Sequence, residues 1–139
     1  MIALFSETDF KIQNETIWKN WIHAAVESEG FTIQEVNYIF CDDEYLLQIN
    51  IDHLQHDYYT DVIGFQLSEG KALSGDIFIS IDRVRDNAKT HKVSFEKELA
   101  RVMIHGILHF MNYQDHSAEE ATTMRKAEDK YLALFTNIN

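Results

Sequence analysis

The stretch VMIHGILHFM, residues 102–111, constrains the fold of this chain more than any other feature. Its ten residues include no Lys, Arg, Asp or Glu. Ser94 lies upstream and is a typical N-cap for a helix that begins at Phe95. A helix whose second half is apolar on nearly every side is typical of a buried helix. We therefore expect this segment to lie in the core, with the rest of the chain packed around it.

Two histidines interrupt this apolar helix. His105 and His109 are four residues apart, which places them one turn apart and about 40° apart around the helix axis. Both imidazoles then reach one point, an arrangement that presents two nitrogen ligands to Zn²⁺. A buried imidazole without a partner costs on the order of a few kcal/mol. The spacing favours a shared metal, and two core histidines bonded separately to the backbone are the alternative.

A third donor follows the end of this helix. Asn112 readily takes the left-handed conformation that ends a helix, so the chain can turn back and bring Asp115 or His116 near the histidines. Three protein ligands are typical of a catalytic zinc, whereas a structural zinc usually has four. Gly106 stands where peptidases with an H-E-x-x-H helix carry their general base. The sequence therefore predicts an open metal site and disfavours peptide hydrolysis.

The remaining segments predict a small sheet with helices packed against it. Strands are expected at residues 2–5, 31–40, 62–67 and 76–81, with residues 68–75 as a loop, and helices at 14–30, 42–54, 82–92, 94–111 and 117–135. Asn14 and either Asp42 or Asp43 are expected N-caps, and Ser117 with Glu120 has capping-box spacing. This order predicts an α+β fold with about five helices. A length of 139 residues predicts a single domain, residues 1–139.

The charge balance is strongly acidic. The net charge is −11, with 23 Asp and Glu against 12 Lys and Arg, which argues against binding nucleic acid through the overall field. The densest cationic group is Arg83, Arg85, Lys89 and Lys92. Helical spacing predicts Arg85, Lys89 and Lys92 on one stripe. A local cationic surface and an ordinary solvated helix face both fit this group.

The single cysteine and the hydropathy pattern bear on location. Cys41 alone excludes an intrachain disulfide, so a reducing, cytoplasmic setting is expected. Cys41 lies in an apolar run and is expected to be a buried residue rather than a nucleophile. No stretch reaches the ~18 apolar residues of a membrane span, and the N-terminus lacks the features of a signal peptide. We expect no membrane association.

Three segments resemble the YbeY family of metal-dependent endoribonucleases. HGILHFMNYQDH, residues 105–116, resembles the family signature H-G-x-L-H-x-x-G-Y-x-H. INIDHLQHDYYTDVIGF, residues 49–65, resembles a second block and matches it at Asn50, Asp57, Thr60, Asp61, Val62 and Phe65. GDIFIS, residues 75–80, resembles a G-D-I-x-I-S strand. The blocks are in the family's order, and the chain length also fits.

The resemblance implies a function, a cofactor and partners. It implies a cytoplasmic, zinc-dependent, single-strand endoribonuclease of ribosomal RNA maturation, acting in small-subunit 3′-end processing and ribosome quality control. It also implies an α+β fold with a small mixed sheet. The histidine pair and the third donor after the turn predict one Zn²⁺ per chain. Ribosomal RNA would be the substrate, and a ribosomal protein or an assembly GTPase is a further expected partner. Such a partner would help an acidic enzyme to meet its RNA.

This sequence departs from the family pattern at three positions. Counted without a gap, the family's third ligand position is Asp115, so the expected ligands are His105, His109 and Asp115, with His116 as the alternative third ligand. Asn112 replaces the turn glycine. Leu54 stands where the family often has an arginine thought to contact the RNA phosphate. His56 or a cation of the 83–92 segment is a candidate replacement, and a plain core leucine without replacement is the alternative.

The expected mechanism is metal-assisted phosphodiester hydrolysis. Zn²⁺ lowers the pKa of a bound water toward ~7 and makes a nucleophile available at neutral pH. No side chain is identified as general base, so the catalytic residue is unknown apart from this metal-bound water. Attack by the 2′-hydroxyl, which leaves a cyclic phosphate, is equally open. Two other hypotheses are a non-catalytic ribosome-assembly factor with a structural metal, and a zinc hydrolase of peptide or amide bonds. Arg85, Lys89 and Lys92 are the candidate RNA-binding residues.

Overall fold

The computed structural model describes residues 1–135. Nine elements follow one another along the chain: β1 (Ile2–Ser6), α1 (Glu15–Ser28), β2 (Thr32–Cys41), α2 (Asp43–Leu54), β3 (Val62–Gln66), β4 (Ala72–Ser80), α3 (Ile81–His91), α4 (Phe95–Phe110) and α5 (Ala118–Ala133). Within the described residues this gives five helices and a four-stranded sheet. The predicted α+β fold is confirmed. That residues 1–139 form a single domain stays a prediction, and residues 136–139 lie outside the described part.

The sheet is mixed and has the strand order β1-β2-β4-β3. β1, β2 and β4 run parallel, and β3 pairs with β4 in the antiparallel direction. The helices supply the crossovers that parallel strands require. The antiparallel β3 therefore forms one edge of the sheet, and the connection from α2 enters at that edge.

Helix α4 lies in the core, as its apolar sequence predicts. Ile104, Ile107 and Leu108 are fully buried. Gly106 explains how closely the helix approaches the sheet, since a Cβ at this position would lie 2.9 Å from Cγ2 of Ile77 on β4. The glycine thus sets the distance between α4 and the sheet, and with it the position of the two histidines beside it.

Most predicted helix ends are confirmed, including their caps. The side chains of Asp42, Ser94 and Ser117 accept hydrogen bonds from the first turns of α2, α4 and α5, and Ser117 and Glu120 form the expected capping box. Asn112 has a φ of 75°, so it takes the left-handed conformation expected of it. The chain therefore reverses direction directly after α4.

Two local predictions are wrong, and that for Asn14 is right only in its position. Residues 72–75 continue β4 rather than forming a loop, because Thr32 and Ile33 of β2 pair with Ala72 and Leu73. Asn14 precedes α1 as expected, but it is left-handed and its side chain caps nothing. Lys92 ends α3 in the left-handed conformation, so it does not continue a helical stripe.

None of the helices in residues 1–135 is long and apolar enough to span a membrane.

Candidate metal centre

The turn after α4 brings three predicted ligands together. The Nε2 atoms of His105 and His109 lie 3.0 Å apart. Oδ2 of Asp115 lies 3.3 Å from Nε2 of His105 and 3.5 Å from Nε2 of His109. One donor atom from each residue falls within 4.8 Å of the others. The helical spacing of the two histidines and the reversal of the chain at Asn112 therefore bring the three donor atoms together.

His116 occupies a different place. Its side chain is exposed and lines the same cleft, but it is not part of the three-residue group. A shift of one residue along the turn changes the direction in which a side chain points. The geometry therefore favours Asp115 over His116, and the identity of the third ligand stays a prediction.

The other ring nitrogen of each histidine is held by an acceptor. Nδ1 of His109 donates to the carbonyl oxygen of Tyr113 over 3.0 Å, and a carbonyl can only accept. Nδ1 of His105 lies 2.6 Å from Oε2 of Glu128. When the rings are neutral, these bonds place both hydrogens on Nδ1 and leave both Nε2 lone pairs facing one another and Asp115. Two lone pairs and a carboxylate at this spacing fit a divalent cation.

Glu128 is the buried carboxylate behind this group. Its side chain is only 5% exposed, and it also accepts a 2.8 Å bond from Nη1 of Arg101. Burial alone would raise the pKa of Glu128, but the bonds from His105 and Arg101 lower it below its ordinary value. Glu128 is therefore ionised at neutral pH and acts as an acceptor toward His105.

The two histidines have opposite pKa shifts. Burial favours the neutral form of His105, but the bond and charge of Glu128, aided by Asp115, raise its pKa above the ordinary value. Burial, followed by the charge of His105, lowers the pKa of His109. His105 is therefore more readily protonated than His109, and His109 offers its lone pair more readily.

Sequence reasoning missed Glu128, although a signal was present. The apolar face of α5 includes Met124, Ala127 and Tyr131, and Glu128 falls between them on the buried side of the helix. A carboxylate on a buried helix face requires a charged or hydrogen-bonded partner. The sequence could therefore have identified Glu128 as a residue with a partner in the core, but not the partner.

The three donors open into a cleft of about 710 Å³. The cleft lies between α4, the edge strand β3 and the connection from α2 to β3; its lining includes Asn50, Leu54, His56, Tyr58, Asp61 and Gln114. Leu54 is 41% exposed and lines this cleft, so it is not a core leucine. Among the described residues, none that lines the cleft is a lysine or arginine.

A second cleft of about 320 Å³ adjoins the first. Asp61, His105 and Asp115 line both. Burial raises the pKa of Asp61, and the Asn87 side chain donates to its carboxylate over 3.3 Å. The donor group therefore borders two clefts, and Asp61 is a second carboxylate, beside Asp115, that lines both.

The candidate RNA-binding residues lie outside both clefts. Asn87 of α3 lines the second cleft, whereas Arg85, two residues earlier, lies roughly 200° away around the helix. The Arg85 guanidinium lies over the Phe95 ring at 5.7 Å, and three aspartates share its surroundings: Asp9, Asp42 and Asp82. Lys89 is exposed and follows the Arg85 side of the helix. RNA binding by Arg85, Lys89 and Lys92 stays a prediction.

The single cysteine plays no part in this site. Cys41 is fully buried, and burial, with smaller effects from nearby carboxylates, raises the pKa of its thiol to about 12. The thiol therefore stays protonated at neutral pH, as expected of a buried residue rather than a nucleophile.

Comparisons with known proteins agree with this architecture. The sequence matches the family model described as Endoribonuclease YbeY over residues 4–136. A protein named Endoribonuclease YbeY from Flavobacterium johnsoniae is 50% identical over 135 residues, which cover 97% of this chain and 97% of that protein. A protein of the same name from Flavobacterium psychrophilum is 52% identical over 135 residues, which cover 97% of this chain and 96% of that protein. A solution structure of a Thermotoga maritima protein aligns with a TM-score of 0.68 and 28% identity, and covers 95% of this chain and 87% of that one.

Proposed function

This chain belongs to the YbeY family of endoribonucleases, and from that membership we propose that it is a zinc-dependent endoribonuclease of single-stranded ribosomal RNA. The observation that carries the metal dependence is the pair of Nε2 atoms, 3.0 Å apart with Asp115 beside them. Both rings are held from behind, so their lone pairs converge without rearrangement. Such preorganised donors are what a tightly held metal requires.

His105, His109 and Asp115 would hold the ion. Two imidazoles and a carboxylate suit Zn²⁺, and a set of three protein donors would leave the ion able to take water or substrate as well. When bound, the zinc supplies a Lewis acid and lowers the pKa of a coordinated water. The other contributions come from side chains of the chain itself.

Those side chains position the donors. Glu128 fixes the ring of His105, and Arg101 holds Glu128 in place over 2.8 Å. The carbonyl of Tyr113 fixes the ring of His109. Gly106 allows α4 to approach β4 and so seats both histidines at the floor of the cleft. No side chain is assigned as general base, although Asp61 lies in the cleft with a raised pKa.

We further propose ribosomal RNA maturation in the cytoplasm, including small-subunit 3′-end processing and ribosome quality control, as the setting. The net charge of −11 opposes the approach of a polyanion from a distance. A ribosomal protein or an assembly GTPase that delivers the RNA would remove this obstacle. Such a partner also explains how a cleft with no lysine or arginine in its described lining meets its substrate.

The two other hypotheses have less support. A structural metal usually takes four protein ligands, whereas this group has three and faces an open cleft. A peptidase of the H-E-x-x-H type needs a glutamate where Gly106 stands, and a Cβ there would already approach Ile77 to 2.9 Å. Both facts favour the endoribonuclease.

The test is a cleavage assay. Zinc-loaded protein is incubated with an end-labelled, unstructured RNA, and the products are separated on a denaturing gel, with His109→Ala as the matched control. We expect internal cleavage by the wild type and none by the variant or after chelation. No cleavage by the zinc-loaded wild type, or equal cleavage by separately purified wild type and His109→Ala, would overturn the proposal.

A further inference from the structure

The cleft around the donor group poses a problem for RNA binding. Proteins usually hold RNA through lysine and arginine contacts to phosphates, and no such side chain lines this cleft among the described residues. Leu54, the residue for which a cationic replacement was considered in the sequence analysis, lines the cleft with an uncharged side chain. Arg101 and Arg125 line the adjoining cleft instead. Within the cleft itself, contacts to RNA therefore come from groups other than phosphate-binding cations.

Two aromatic rings stand in the wall of this cleft. The rings of His56 and Tyr58 are stacked, with centroids 5.2 Å apart and planes 19° apart. The Tyr58 hydroxyl and Nδ1 of His56 are 3.0 Å apart, within hydrogen-bond distance. Tyr58 is nevertheless 55% exposed. A large aromatic side chain is thus held in one orientation and still presents its surface to solvent.

A buried asparagine fixes the backbone beneath these rings. Asn50 is 2% exposed, and its side chain donates a 2.8 Å hydrogen bond to the carbonyl of Tyr58. Its backbone carbonyl accepts a 3.1 Å bond from the backbone N–H of His56. One residue of α2 therefore anchors both members of the pair, so the connection does not have to become ordered when a ligand arrives.

We infer that Tyr58, supported by His56, is a stacking platform for a base of the RNA strand that enters the cleft. The inference rests on the proposed function and adds a recognition residue to it. Every base has a π-face, so stacking on an aromatic side chain contributes affinity without a cation and with little sequence preference. A single strand offers unstacked bases, whereas a duplex keeps its bases paired.

Tyr59 provides a matched control. It is also exposed, but its hydroxyl donates to Glu44 over 2.6 Å, and the Arg83 guanidinium lies over its ring at 5.7 Å. It does not line the cleft. Two adjacent exposed tyrosines thus differ in whether they face the donor group.

The experiment measures binding of a fluorescent 2′-O-methyl single-stranded oligonucleotide by anisotropy, with wild type, Tyr58→Ala, Tyr58→Phe and Tyr59→Ala. A second probe of the same length carries abasic sites and keeps its phosphates. Tyr58→Ala is expected to weaken binding of the base-containing probe by about 5- to 150-fold. Tyr58→Phe keeps the ring and is expected to remain within about twofold of the wild type, as is Tyr59→Ala.

The abasic probe separates stacking from a structural effect. Wild type and Tyr58→Ala are expected to bind it equally, because the base that contacts Tyr58 is missing. Equal loss on both probes, or no loss on either, would overturn the inference. Cleavage of unmodified RNA by the wild type is measured in parallel. If the wild type cleaves RNA but Tyr58→Ala binds the probe as tightly as the wild type, the stacking platform is overturned and the proposed function stands. If binding depends on Tyr58 but no RNA is cleaved, the proposed function is overturned and the platform stands.

Discussion

Oε2 of Glu128 on α5 lies 2.6 Å from Nδ1 of His105 on α4, although the two residues are 23 positions apart in the chain. The carboxylate is buried and also accepts a bond from Arg101. It fixes the orientation of the imidazole and directs the free lone pair of Nε2 toward His109. A histidine held in this way is a better metal ligand because the carboxylate raises its basicity and fixes its tautomer.

Replacing Glu128 by glutamine is therefore expected to weaken metal binding. The amide has nearly the same shape but lacks the charge, and such changes behind a ligand typically cost about 10- to 100-fold in affinity. Competition with a chromogenic zinc chelator measures this decrease. Asp129→Asn is the control, since Asp129 pairs with Arg101 but does not contact His105. Equal affinities for Glu128→Gln and wild type would show that the carboxylate does not support the ligand.

The affinity for zinc is expected to increase with pH and then to level off. Zinc binds deprotonated imidazole, and the pKa of His105 lies above its ordinary value of 6.5. Below that raised pKa, zinc must displace a proton from His105, so the affinity should fall about tenfold per unit of decreasing pH. Above it, the affinity should level off. Titrations at several pH values measure this, and Glu128→Gln should move the onset to lower pH. A pH-independent affinity would contradict this role of His105.

Asp115 is expected to outrank His116 as third ligand. Its Oδ2 lies within 3.5 Å of both Nε2 atoms, whereas His116 is outside the group. Asp115→Ala should therefore lose zinc during dialysis while His116→Ala retains it, as measured by metal analysis. The reverse order would mean that the turn after Asn112 shifts by one residue when the metal binds.

The cations of α3 are expected to matter only for long RNA. Arg85 and Lys89 lie outside the cleft, so only a strand that extends beyond it can reach them. The double variant Arg85→Glu, Lys89→Glu should bind a short oligonucleotide as the wild type does. It should bind a long RNA less tightly. The decrease of the logarithm of its binding constant per log unit of salt concentration should be smaller by about 0.7 for each phosphate that it no longer neutralises. If both RNAs bind unchanged, Arg85 and Lys89 lie on an ordinary solvated helix face.

The sequence predicts the local parts of this site well. The helix around His105, its cap at Ser94 and the turn at Asn112 depend on residues close together in the chain, and periodicity and capping rules describe such features. The approach of Asp115 follows from them, because a left-handed residue after α4 reverses the chain within a few positions.

The parts that depend on tertiary packing could not be predicted in this way. The contact between Glu128 and His105 requires the packing of α5 against α4, which no local pattern specifies. The apolar residues of α3 show which side is buried, but not that Asn87 rather than Arg85 faces the donor group. Residues 72–75 resemble a loop because of Gly70 and Gly75, yet pairing with β2 makes them a strand. Long-range pairing overrides local preference in each case.

The metal centre itself is best tested by a crystal structure of protein purified without chelator, with diffraction data collected on both sides of the zinc absorption edge. We expect one anomalous peak per chain, at about 2.0–2.2 Å from Nε2 of His105, Nε2 of His109 and a carboxylate oxygen of Asp115. Glu128 and the Tyr113 carbonyl should remain on the Nδ1 atoms. A map without a peak at this position, with the two Nε2 atoms still within hydrogen-bond distance of each other, would contradict the proposed zinc centre.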